Sequence, residues 1–216
     1  MRGSGRRPRE TLLTLLDAGI VALALTTIAL ILLVVLRPGL TAERGGKMLA
    51  FIALFISPVA ATWVGTTSHI EHSKTTSFCL SCHEMTPYGR SLRIADGDYL
   101  PAGHFQNNRL RREEACYTCH TTYTMFGGVR AKMQGMQHVF VHYLGTIPEK
   151  IELYNPYSNR ECLHCHEGAR SFEDLEDHAD IREEIASGDT SCIECHDVVH
   201  DVENLGELEM WEGRTE

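Results

Sequence analysis

The chain has 216 residues, including eight cysteines and twelve histidines, and a formal net charge of −9. Its apolar residues concentrate in two stretches before residue 66, which excludes a soluble enzyme built around one large aliphatic core. The charge is segregated: residues 171–216 hold 16 Asp and Glu against Arg182 and Arg214, a net of −14, so the first 170 residues are positive. That distribution gives no support to nucleic-acid binding.

The first apolar stretch, residues 12–36, carries one charge, Asp17. It is long enough to cross a bilayer core of roughly 30 Å. It is too long for the apolar region of a cleaved signal peptide and lacks a clear small-residue cleavage site, so it reads as an anchor. The second stretch, residues 48–65, is uncharged, contains Pro58 and places Trp63 where an interfacial aromatic belongs. Residues 1–66 are therefore expected to form a membrane anchor. The basic loop Arg37–Lys47 suits the cytoplasm, yet Arg2, Arg6, Arg7 and Arg9 suit it as well. Two spans with the loop inside is the preferred topology; one span plus an interfacial segment is the alternative.

All eight cysteines fall in four Cys-x-x-Cys pairs, each followed by histidine: Cys79, Cys82 and His83; Cys116, Cys119 and His120; Cys162, Cys165 and His166; Cys192, Cys195 and His196. Zinc sites, redox pairs and disulfides also use paired cysteines. The histidines decide: at 12 in 216 residues, four such hits by chance would occur about once in 10^5 trials. Cys-x-x-Cys-His is the attachment signature of c-type haem, with two thioethers to the porphyrin edge and the histidine under the iron. Four covalently bound haems c are expected. About 38 residues per haem are too few for an ordinary core, so the macrocycles themselves supply the buried apolar area. The fold class expected is mainly α with much irregular coil: N-terminal transmembrane helices, a compact multihaem cytochrome c domain over 67–200, and an acidic C-terminal tail over 201–216. The tail reads as a solvated end or as a docking surface for a basic redox partner.

Several blocks resemble one family. Thr75 to Met85, reading TTSFCLSCHEM, resembles the first haem site of the NapC/NirT/NrfH membrane-anchored tetrahaem cytochromes. His104 with Asn107 resembles a His-x-x-Asn element of that family. His142 to Lys150, reading HYLGTIPEK, resembles its His-x-x-Gly-Thr-Ile segment, and Arg160 to His166 its third haem site. The fourth site, Cys192 to His200, resembles a motif followed by another histidine. Family members usually have one anchor, matched in position by 48–65, so residues 12–36 look like an addition.

The resemblance implies electron transfer from membrane quinol, menaquinol or ubiquinol, to a periplasmic redox partner. That partner would be an oxidoreductase such as a nitrate or nitrite reductase, or a soluble cytochrome, in a respiratory chain. It implies a quinol dehydrogenase and electron-transfer protein rather than a terminal reductase, in the bacterial cytoplasmic membrane with the haem domain in the periplasm. The alternative is an electron-transfer subunit of a larger membrane redox complex that does not oxidise quinol.

Low-spin haems need a second axial ligand. By the resemblance His104 serves the fourth haem and His200 the third. The second draws on 130–142, where His142, its i−4 neighbour His138 and Lys132 compete. His178 is a weaker candidate, His164 a filler within its motif, and His69 and His72 interface residues. At the first haem, Met85 is the expected ligand, as in some relatives, leaving the other face open near a quinol. Lys132 and His138 are the polar groups expected to handle the quinol proton, with His138 preferred for its pKa range.

Overall fold

The computed structural model describes residues 8–213, with side chains from Asp17 onward. Arg2, Arg6 and Arg7, the side chain of Arg9, and Arg214 lie outside the described residues. The chain divides after Ser73 into two compact units.

The first unit is a helical hairpin. Helix α1 runs Pro8–Leu36 and helix α2 runs Arg44–His72, both long and apolar enough to cross a membrane. At 1.5 Å per residue, the 29 residues of α2 reach about 43 Å. Helix α2 therefore continues well past the apolar stretch 48–65, and the first compact unit ends at Ser73. Within α2 a π-helical turn at Ile52–Ile56 precedes Pro58. The wider turn accommodates a residue that has no N–H to give to the preceding turn. A 3-10 turn at Pro38–Ala42 joins the helices, and Gly46 is required there because a Cβ would sit 1.4 Å from the Leu40 carbonyl oxygen. Asp17 and Ile20 of α1 share a recess with Gly65, Ser68, His69 and His72 of α2, so the helices are antiparallel.

The second unit contains short helices joined by coil. They are α3 (Thr76–Cys79), α4 (Thr86–Ser91), α5 (Leu100–Gln106), α6 (Ala115–Cys119), α7 (Gly127–Leu144), α8 (Asn159–His166), α9 (Arg170–Glu173), α10 (Glu176–Asp180), α11 (Arg182–Ser187) and α12 (Cys192–Cys195). Among the described residues there is no strand, only an antiparallel bridge between Ile94 and Met210. Cys82 caps the 3-10 turn His83–Met85, and the other seven of the eight motif cysteines lie on α3, α6, α8 and α12, helices of eight residues or fewer that could not persist in isolation. Three of them start from hydroxyl caps: Thr75 accepts from the Phe78 N–H (3.2 Å), Ser158 from Arg160, and Ser191 is paired with Glu194 in a capping box.

The small aliphatic core of this unit comprises Ile94, Ala102 and Leu205, with Tyr99, Leu208 and Met210 against it. The acidic end, read from the sequence as a solvated end or a docking surface, straps over residues 93–95. The Ala95 N–H donates to Glu209 O (2.8 Å) and the Trp211 N–H to Arg93 O (2.6 Å), while the Arg93 and Arg112 guanidiniums stack over the Trp211 ring. Its carboxylates dominate the composition, but Leu205, Leu208 and Met210 provide an apolar side that a charge count does not register.

Candidate haem centres

The motif helices are tied to one another in chain order. Between the first and second, the Thr76 hydroxyl donates to Arg112 O and accepts from the Ala115 N–H, both at 2.8 Å, which brings the Cys79 and Cys116 thiols together. Between the second and third, the Tyr157 hydroxyl donates to the Cys119 carbonyl and Tyr123 stacks on His164 with centroids 3.6 Å apart. Between the third and fourth, buried Asn159 donates to Ile185 O (2.9 Å) and Thr190 O (2.6 Å) and accepts from the Cys192 N–H (2.8 Å). No cysteine is in a disulfide.

Each motif histidine has a second imidazole beside it. Ring centroids are 5.6 Å apart for His83 and His142, 6.3 Å for His120 and His200, 6.0 Å for His166 and His104, and 6.1 Å for His196 and His178. An iron held between two imidazole nitrogens at about 2 Å each sets ring centres roughly 6 Å apart. All four pairs therefore fit an axial pair on a haem iron.

The outer nitrogens support the same reading. Nδ1 of His104 lies 2.7 Å from Leu100 O, that of His178 3.2 Å from Phe172 O, and that of His200 2.6 Å from the Ser91 hydroxyl. Such a contact orients an imidazole and leaves Nε2 for a metal. His142 differs: its Nδ1 is buried with no hydrogen bond, and the Glu84 carboxylate is 3.8 Å away and 3.5 Å from His83 Nδ1. Burial, with the neighbouring His120, pushes His200 down to about 4 and so keeps it neutral. Burial lowers His120 and His166 in the same sense.

The neighbouring rings are not the pairs expected. His104 sits beside the third motif rather than the fourth, and His200 beside the second rather than the third. His142 sits beside the first rather than the second, and the weaker candidate His178 beside the fourth. Long-range anchoring explains the shift of His200. Ser91 holds its ring, Tyr88 packs edge-on to it (5.6 Å), and Val198 O accepts from the Leu100 N–H (2.9 Å). These bonds carry the segment across to the second motif. At the first site, where Met85 was the expected ligand, His142 faces His83; Met85 is half-buried in the same 3-10 turn, His83–Met85.

His138 is half-buried against the Tyr154 ring (4.4 Å), and burial lowers its pKa. Burial also lowers that of Lys132, whose amine lies over Phe78 and Tyr117. His69 and His72 lie in the last turns of α2. Glu84 and the acceptors Ser91, Leu100 and Phe172 do not stand out in the sequence, apart from the place of Glu84 inside the first motif block.

The family model for the N-terminal region of the NapC/NirT cytochrome c family matches residues 43–205. The chain is 24% identical over 166 residues to the cytochrome c-type protein NapC of Haemophilus influenzae, covering 68% of this chain and 78% of that one. It is 30% identical over 173 residues to the cytochrome c-type protein TorC of Escherichia coli K12, covering 69% and 41%. To the denitrification system component NirT of Stutzerimonas stutzeri it is 26% identical over 182 residues, covering 77% and 85%. No solved structure matches it. With the family model spanning most of the chain and both units helical, the chain belongs to the NapC/NirT cytochrome c family and is a c-type cytochrome of electron transport.

Proposed function

We propose that this chain is a membrane-anchored tetrahaem cytochrome that takes electrons from membrane quinol and passes them to a periplasmic redox partner. The observation that carries the proposal is the set of four imidazole pairs at 5.6–6.3 Å beside motif helices tied in order. Haem c, when bound, supplies a one-electron iron centre at each motif. The chain's residues do the rest. His142, His200, His104 and His178 serve the first, second, third and fourth sites, opposite His83, His120, His166 and His196. Thr76, Tyr157 and Asn159 set the order of the motifs.

The first site is the quinol end. Its partner imidazole is the one whose Nδ1 lacks a hydrogen bond, and His83 is 77% exposed at its side chain, so its ligands are the least constrained. His138 lies one turn before His142 on α7. Burial favours its neutral form, so it can accept a proton as quinol is oxidised. Lys132, with its amine partly desolvated, flanks the same helix. In this arrangement both spans cross the membrane, the loop at Pro38–Ala42 is cytoplasmic, and the haem unit is periplasmic.

The test is reduction of the purified, haem-loaded chain in nanodiscs by a menaquinol or ubiquinol analogue. Stoichiometric reduction of all four haems supports the proposal. No reduction by either quinol, with dithionite still reducing all four, moves the chain to the reading of a non-quinol-oxidising subunit of a larger complex.

A further inference from the structure

Helix α7 presents a continuous apolar face to the outside of the haem unit. Val129, Met133, Met136, Phe140, Tyr143 and Leu144 are exposed, with Met133 at 70%, Phe140 at 61% and Tyr143 at 76%. At 100° per residue these six fall within an arc of about 100°. His138 and His142 lie on the opposite side of the helix, where their imidazoles face Tyr154 and His83, away from this arc. Met125 and Phe126, just before the helix, are exposed too. An apolar patch of this extent, left open on a unit whose own core is small, marks an interaction surface.

The charge on the helix indicates what covers it. Residues 127–144 contain Arg130 and Lys132 and no Asp or Glu, in a chain of net charge −9. Arg130 is exposed and borders the apolar arc on one side, while Lys132 on the other side has its amine over Phe78 and Tyr117. An apolar stripe edged by an exposed cation, on a helix without acidic residues, is the pattern of a helix lying in the plane of a membrane interface, with aliphatic side chains in the acyl boundary and the cationic head among anionic headgroups. The unit also follows directly, at Lys74, from a hairpin long and apolar enough to cross a membrane. A strongly acidic surface such as residues 171–213 is repelled from the same headgroups.

We infer that α7 is an interfacial membrane-binding helix and that its occupant is the surface of a bilayer containing anionic phospholipid. The inference goes beyond the electron route and stands whether or not quinol is the donor. It makes α7 a two-sided element: lipid on one face, the first centre's histidine on the other.

The test uses the full haem-loaded chain in nanodiscs of phosphatidylglycerol and phosphatidylcholine, doped with a phospholipid carrying a photoactivatable carbene precursor on its acyl chain. Adducts are mapped by mass spectrometry. The expected result is labelling at Met133, Met136, Phe140 and Tyr143, at least fivefold above Gln134 and His138, and lower when phosphatidylglycerol is omitted. In the double variant Met136→Ser, Phe140→Ser, labelling of the rest of the helix should fall at least fivefold with haem content per chain unchanged. Labelling confined to residues 17–72 would overturn the inference. So would protection of the stripe by a second copy of the chain, seen as a dimer in the same discs. If the double variant fails to mature, the labelling pattern of the natural chain decides.

Discussion

The Glu84 carboxylate lies 3.8 Å from Nδ1 of His142, a nitrogen that is buried and makes no hydrogen bond. The other three partner histidines present Nδ1 to neutral acceptors, Ser91, Leu100 and Phe172. A carboxylate next to a ligand imidazole raises its basicity and favours the more positive, oxidised iron. Glu84→Gln should therefore raise the potential of the first haem, by about 59 mV for a tenfold change in the one-electron equilibrium, and leave the other three in place. An unchanged titration would remove Glu84 from this role.

Replacing each partner histidine separately should affect one haem at a time. His178→Ala should convert only the haem at Cys192–His196 from low spin to high spin, and His104→Ala only the haem at Cys162–His166. Resonance Raman spin-state marker bands, combined with a fresh redox titration of each variant, distinguish the sites. If His104→Ala instead altered the fourth haem, the pairing read from the ring distances would fail.

Burial pushes Glu161 up to about 7, against the opposing effects of the Tyr157 hydroxyl and Arg130. Glu161 lies on α8 next to Cys162, between the second and third motifs. Reducing a nearby iron removes positive charge and raises the carboxyl pKa further, so reduction takes up a proton in the window just above 7. The potential of a neighbouring haem should thus fall as pH rises through that window, and be flatter below it, where Glu161 stays protonated in both states. The slope should disappear in Glu161→Gln. A slope that survives the substitution would point to another group.

Asn159→Ala should destabilise the haem unit. It leaves two carbonyls and one N–H without their partner, at about 1–3 kcal/mol for each group that remains buried. A net loss of about 3 kcal/mol would lower the unfolding midpoint by roughly 6–12 °C. Thermal unfolding followed at the haem absorbance checks it, and a midpoint within about 2 °C of the natural chain would show that water replaces the side chain.

Haem attachment was legible in the sequence because it depends on residues three and four positions apart. The imidazole pairs were not, because they bring together residues as distant as His120 and His200, and where a histidine ends up depends on hydrogen bonds made by Ser91 and Val198. The apolar stretch at 48–65 was visible, but its extension to His72 was not, since Thr66, Thr67, Ser68 and His69 continue a helix without being apolar. The docking of the acidic end through Leu205, Leu208 and Met210 was not visible, because charge outnumbers those few apolar residues. The exposed stripe on α7 was hidden in the same region that drew attention for His138 and His142 on its other side.

Near-infrared magnetic circular dichroism of the oxidised, haem-loaded chain tests the four-pair assignment most directly, because its charge-transfer bands report the axial ligands. Bis-histidine bands for all four irons, unchanged in Met85→Ala, are the expected result. A methionine–iron band that disappears in Met85→Ala, or an intensity equivalent to three bis-histidine sites, would contradict the His83–His142 pair.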